Sequence, residues 1–145
     1  MKISTKGRYG VRIMFELAMH YNKGFITVKA ISRKQDLSEK YIEQIIGTLN
    51  RAGLVYSQRG VLGGYKLIAP PDKITIGQIL RVTEGELDLT ECVTDNYIGC
   101  TKKTQCIAND VWRKLKEAME EVVDNVFLSD LLSNYYDNCN YDCVV

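Results

Sequence analysis

From Ser4 to about Asn22 the apolar positions Val11, Met14, Ala18 and Tyr21 recur at steps of three and four, the spacing of one face of an α-helix, and Gly24 supplies a stop. A second helical stretch, VKAISRKQ, turns Val28 and Ile31 inward. After Asp36-Leu37-Ser38 a third runs from about Ser38 to Arg51, with Ser38 as N-cap and Ile42, Ile45, Ile46 and Leu49 as a buried stripe. Two short helices joined by a tight turn make a helix-turn-helix. LVYSQ and YKLIA then read as short strands rich in β-branched and aromatic residues. The three glycines of RGVLGG supply the turn between them, so the segment is a β-hairpin.

Pro70-Pro71 closes this unit, and Thr75-Ile-Gly-Gln78 offers a capping box for a helix running to about Glu84. The interval from about Gly85 to Gln105 has no sustained periodicity; structureless loops of this length in a compact domain are functional or disordered. Order resumes in NDVWRKLKEAMEEVVDNV, where Ala108, Trp112, Leu115, Met119, Val122 and Val126 repeat at intervals of four and three. Such a seam is too short for a free coiled coil and suits packing against another subunit. A short helix, LSDLLSNYY, precedes a tail, DNCNYDCVV, that reads as partly disordered. The fold class expected is therefore mainly α with a small β-hairpin wing. It comprises a winged helix-turn-helix domain over 1–83, a cysteine-rich loop over 84–106, a dimerisation helix and short C-terminal helix over 107–136, and a tail over 137–145.

A chain of 145 residues, 46% hydrophobic, can bury one core and carry one such extension. Arg12 and Glu16 interrupt the apolar residues near the N-terminus and no run approaches membrane-spanning length, which points to a cytosolic protein. In that compartment thiols stay reduced, so five cysteines read as ligands or sensors rather than disulfide staples. A formal net charge of +1 hides a division: residues 1–83 carry 14 Lys and Arg against 5 Asp and Glu, and residues 84–145 carry 5 against 13. The first part has the electrostatics of a polyanion binder.

A helix-turn-helix followed by a hairpin suits duplex DNA, with the second helix in the major groove and the hairpin tip along the backbone or in the minor groove. Facing away from the isoleucine stripe are Ser38, Glu39, Lys40, Tyr41, Glu43 and Gln44. Gln44 can pair with adenine and Glu43 can accept from cytosine, while Ser38, Lys40 and Tyr41 can hold phosphates or bases. In the wing, Arg59 beside Gly60 can enter a narrow minor groove. Lys6, Arg8 and Tyr9 are further backbone candidates.

The opening MKISTKGRYG and the run LSEKYIEQIIGTLNRAGLVYSQRGVLGGYKLIAPPDKITIGQILRVTEG resemble the winged-helix regulators typified by IscR, NsrR and CymR, over nearly the whole chain to about Leu132. The wing string RG-x-x-GGY-x-L is the most specific part. The resemblance implies a homodimeric, sequence-specific transcription regulator, usually a repressor, that binds an imperfect palindrome in double-stranded DNA. By position it places Tyr41, Glu43, Gln44 and Arg59 among the family's groove-reading residues.

Cys92, Cys100 and Cys106 lie within fifteen residues of polar loop. Their spacing can wrap an iron–sulfur cluster, whereas the close Cys-x2-4-Cys pairs usual for zinc are missing. The resemblance adds that the cluster-binding branch carries three cysteines in this loop just before a Trp-containing helix, as Cys106 and Trp112 do here, with [2Fe-2S] favoured over [4Fe-4S]. The first gap is longer than in the best-known members. Asn109 stands where IscR-like proteins have a histidine, and Arg8 where NsrR-like proteins have an acidic residue. The fourth ligand stays open among Asp110, Glu43, His20, Cys139, Cys143 and solvent. Three unliganded thiols, as in CymR-like regulators of cysteine metabolism that sense through thiols or a partner enzyme, are the alternative. An iron–sulfur electron carrier would use the same cysteines but would have no use for the basic front half. The chain has one histidine, His20, no Cys-x-x-Cys pair and no nucleotide-binding glycine loop, so the sequence does not read as an enzyme.

Overall fold

A computed structural model describes residues 2–94, 97–102 and 105–142, the last three by backbone alone. Helix α1, Thr5–Met19, starts where Ser4 accepts a hydrogen bond from the amide of Gly7, 3.2 Å. It ends three residues earlier than the periodicity suggests, and Tyr21 packs on the core from the turn beyond it. Its inward face is Ile13, Met14, Leu17 and Ala18, with Gly7 and Gly10. A Cβ on Gly10 would sit 2.8 Å from Thr83 Cγ2, so this glycine sets how closely α1 crosses α4, Ile76–Glu84.

Helices α2, Val28–Gln35, and α3, Glu39–Arg51, form the helix-turn-helix. Thr27 caps α2 and Ser38 caps α3, each accepting from the amide three residues on. Asp36, in the left-handed conformation at φ 53°, makes the turn between them, a position Asp tolerates better than most side chains. Ile42, Ile45, Ile46 and Leu49 are all fully buried, the stripe their spacing predicts.

Strands β1, Val55–Gln58, and β2, Gly64–Leu67, pair antiparallel with Val55 opposite Leu67 and Gln58 opposite Gly64. Asn50 Nδ2 donates to the carbonyl of Val55, 2.8 Å, and ties the hairpin to the end of α3. Ile26 exchanges two backbone hydrogen bonds with Tyr65, which holds the hairpin's other edge. Helix α4 opens with the expected capping box: Thr75 accepts from the amide of Gln78, and Gln78 accepts from that of Thr75.

Beyond α4 the chain forms a short 3-10 turn, Glu91–Val93, before α5, Asn109–Asp124. Arg81 of α4 makes a two-pronged ion pair with Asp124 that pins the far end of α5. Helix α6, Leu128–Asp142, returns along α1, with Leu128 fully buried and Tyr135 edge-on to Phe15 at 5.5 Å. It runs six residues past the end expected at Tyr136. Asp137 and Asn138 are weak helix formers, but packing of the preceding turn on α1 outweighs local propensity. Among the described residues no helix is long and apolar enough to cross a membrane.

The core binds α1, α2, α3, the inner hairpin face, Ile74, Ile79 and Leu128 into one body. Helix α5 contributes no buried residue to it. Of the predicted seam, Trp112 is 37% exposed, Leu115 49% and Val122 63%. Ala108, Met119 and Val126 are half-buried, so Trp112, Leu115 and Val122 are the seam positions whose apolar surface stays open to water among the described residues.

Candidate nucleic-acid interface and cysteine loop

Burying the isoleucine stripe of α3 turns its other side outward, because residues three and four apart share a face. Glu39, Lys40, Glu43 and Gln44 are all exposed. Glu43 and Gln44 line a shallow groove of about 410 Å³ with Lys6, Tyr41, Thr48 and Arg51, and Gly47 leaves its floor without a side chain. Tyr41 is half-buried and its ring meets Tyr9 edge-on at 6.2 Å, with Arg12 over the Tyr9 ring. This ring contact joins α1 to α3 beside the groove.

The remaining predicted residues fall differently. Ser38 spends its oxygen lone pair as the α3 cap. Lys40 is exposed but outside the groove. Arg59 and Gly60 stand exposed in the wing turn, where the amide of Gly63 donates to the carbonyl of Gly60, 3.0 Å. Gly60 has φ +107° with open space around a would-be Cβ, so conformation rather than crowding requires glycine there. Thr48 and Arg51 were not among the expected residues. They lie four and seven positions after Gln44 on the same face, and Arg51 donates to Thr48 at 3.4 Å. Continuing the helical period past Gln44 would have found both.

The cysteines occupy three settings. Cys92 is half-buried on the 3-10 turn with its sulfur 3.0 Å from Thr90 Oγ1. Cys100 is half-buried and Cys106 exposed, and the carbonyl of Cys106 accepts from the amide of Asn109 at the foot of α5. Among the described residues no three His, Cys, Asp or Glu side chains converge closely enough to hold a metal ion. The donor chemistry suits a sulfur-loving centre, while the placement of the thiols does not gather it.

The candidates for a fourth ligand have other engagements. Asp110 is paired with Lys114 and with Arg113, and the hydrogen bond from Lys114, followed by that from Arg113, holds its carboxyl below the usual range. Glu43 faces the α3 groove, and His20 Nδ1 lies 3.0 Å from the carbonyl of Glu16. Cys139 sits on α6 beside Tyr135, whose hydroxyl it pushes up through a hydrogen bond. Cys143 lies outside the described residues.

Loop and helix are joined by charge. Asp88 contacts Lys116 of α5 at 2.6 Å and accepts from Thr94 Oγ1 at 3.0 Å. The hydrogen bond from Lys116 is the main reason its carboxyl is held below the ordinary range.

A helix-turn-helix with a wing, linked through a thiol-bearing loop to an uncovered apolar helix, defines a winged-helix transcription regulator. The chain belongs to the Rrf2 family, described as an iron-dependent transcriptional regulator, which its residues 3–134 match. It is 43% identical over 133 residues to the HTH-type transcriptional regulator CymR of Bacillus subtilis, covering 92% of this chain and 91% of that one. The structure of that protein, named the global cysteine regulator, superposes with a TM-score of 0.76 over 92% of this chain and 98% of the other, at 40% identity. T. potens IscR superposes with a TM-score of 0.75 at 41% identity, over 93% and 88% of the two chains. The HTH-type transcriptional regulator IscR of Aliivibrio salmonicida is 36% identical over 91% of this chain and 77% of its own. These relatives are transcription regulators and not enzymes, and the electron-carrier alternative falls with them.

Proposed function

We propose that the protein is a cytoplasmic homodimer that binds an imperfect palindrome in double-stranded DNA, as a repressor, and that an iron–sulfur cluster on Cys92, Cys100 and Cys106 sets its affinity. The observation that carries this reading is the attachment of one loop at two points on α5, through Asp88 to Lys116 and through Cys106 to Asn109. Helix α5 is in turn fixed by Arg81 and Asp124 to α4, which packs closely on α1. Two copies of the α5 stripe, packed together, would set the separation of the two α3 helices.

The chain's own residues divide the work. Glu43 and Gln44 meet base edges, while Lys6, Lys40, Tyr41, Thr48 and Arg51 hold the backbone beside them, and Ser38 keeps the start of α3 in place. Arg59, carried by the Gly60 turn, reaches the minor groove. A cluster held by Cys92, Cys100 and Cys106, with [2Fe-2S] favoured, would supply a redox-active centre that changes the charge of the loop. Coupling of about 1–3 kcal/mol between loop and DNA surface is enough to shift affinity 5–150-fold.

A second reading keeps the thiols uncoordinated and senses through their oxidation or a partner enzyme. The separate settings of the three cysteines and the 43% identity to CymR favour it. Anaerobic purification with iron and sulfide analysis separates the two. Iron and acid-labile sulfide in stoichiometric amount support the cluster, and a metal-free protein whose DNA affinity responds to thiol oxidation supports the alternative.

A further inference from the structure

The two most exposed large apolar side chains of the wing are neighbours at its tip: Val61 is 102% and Leu62 86% exposed. They are the two central residues of a four-residue turn closed by the hydrogen bond from the amide of Gly63 to the carbonyl of Gly60. Those positions ordinarily take Pro, Asp, Asn, Gly or Ser, which suit the turn and water. Among the described residues nothing covers Val61 or Leu62, so the packing of the fold gives no account of why both are apolar.

The backbone of the turn is also closely packed on itself. A Cβ on Gly63 would collide with the carbonyl of Gln58, so the chain crosses itself closely there, and Gly60 at φ +107° sets the entry. Both side chains stand clear of the hairpin in this turn. They project beside Arg59, on the part of the chain where 14 cationic residues face 5 anionic ones.

Resting on the DNA-binding reading, we infer that Val61 and Leu62 form an apolar wedge that enters the minor groove with Arg59 and partly unstacks one base step in each half-site. Two side chains are far too little surface for a protein partner, which needs about 800 Å² from each side. They match one opened base step, the site at which minor-groove proteins insert Leu, Ile, Met or Phe. Arg59 supplies attraction to the narrow groove and the apolar pair supplies the contact that only an opened step offers. Pyrimidine–purine steps, which unstack most easily, would be preferred under the wing, giving specificity without a base hydrogen bond.

The test uses the full-length dimer and a duplex selected by it from a random-sequence pool, with 2-aminopurine placed in turn at each step under the wing. The wild type is expected to raise the fluorescence at one step per half-site. The double variant V61S/L62S should bind the same duplex at least tenfold more weakly, a loss that even one buried apolar side chain would account for, with the salt dependence unchanged because no phosphate contact is removed. It should give no fluorescence rise, and Leu62→Met alone should keep it. The variant's melting temperature reports that the exposed turn still folds. Tight binding by the wild type with no fluorescence change at any step, together with equal affinity for V61S/L62S, overturns the wedge and leaves DNA binding standing. A variant that binds and unstacks normally but changes oligomeric state in sedimentation makes the tip a protein contact and overturns the wedge as well. Failure to select any duplex removes DNA binding and the wedge together.

Discussion

The carboxylate of Asp88 and the ammonium of Lys116 lie 2.6 Å apart, a single ion pair that ties the cysteine-bearing interval to the middle of α5. Thr94, two residues after Cys92, donates to the same carboxylate at 3.0 Å. The 3-10 turn that carries Cys92 is thereby joined to α5 by polar contacts that lie outside the apolar core. Ion pairs of this kind, largely covered and sharing a hydrogen bond, set geometry more than they add stability.

Asp88→Asn should lower unfolding free energy by about 1.5–3 kcal/mol at neutral pH, the range for a hydrogen bond to a charged group. The sign of its pH dependence follows from the carboxyl being held below its unfolded value. The contribution is complete above the ordinary Asp pKa of about 4 and is lost as pH falls through the lower folded-state value. Urea melts of both proteins should therefore differ at pH 7 and converge in acid. A gap that persists unchanged at pH 2 would exclude ionic pairing as its source. In the loaded dimer the same variant should also weaken the effect of the loop's state on DNA affinity.

Gln44 and Lys40 stand on one helix but should fail differently. Gln44, inside the α3 groove, is expected to cost about 1–3 kcal/mol on replacement by Ala and to relax preference at one position of each half-site. Lys40→Ala should weaken specific and random duplexes alike and reduce the salt slope by about one. Arg51→Ala, at the far end of the groove, should resemble Lys40→Ala. Titrations on specific and random duplexes at several salt concentrations check all three, and equal losses for Gln44→Ala on both duplexes would remove it from base reading.

Replacement of Cys92, Cys100 and Cys106 by Ala, singly and together, should abolish visible absorbance after anaerobic reconstitution, while Cys139→Ala should leave it intact. Thiolates are the donors iron–sulfur clusters take, and Cys139 lies apart on α6 beside Tyr135. Absorbance spectra with iron and sulfide analysis read the outcome. A wild type that stays colourless under reconstitution would turn the assignment to the thiol-sensing alternative.

The DNA-binding unit was legible because each of its elements carries its own signal. The stripe Ile42, Ile45, Ile46 and Leu49 fixes which side of α3 faces out, and Thr75 with Gln78 announces α4. Contacts between elements left weaker traces. Gly10 reads as an ordinary helix glycine until Thr83 is found 2.8 Å from where its Cβ would be. Glu16 reads as a break in apolar patterning, yet it is buried and held by Lys34 and Gln35 of α2. Asp88 and Lys116 are 28 residues apart with no shared period, so no local rule pairs them. The length of α6 was missed for the complementary reason, since its packing on α1 is invisible to propensity.

The α5 stripe gives the test of the dimer. Leu115 and Val122, seven residues apart on one face, contribute little to the core of their own chain. Replacing both by Glu should leave the fold of the single chain unharmed, because the new carboxylates would stand in water. In a two-fold dimer the same patch meets its copy, so each substitution brings like charges together twice and costs several kcal/mol. Sedimentation of Leu115→Glu/Val122→Glu should give half the wild-type mass with helical circular dichroism retained. Binding to a full palindrome should drop toward that of an isolated half-site, because one recognition helix now acts alone. A variant that sediments as a dimer and grips the palindrome as tightly as the wild type would place the subunit contact elsewhere than on α5.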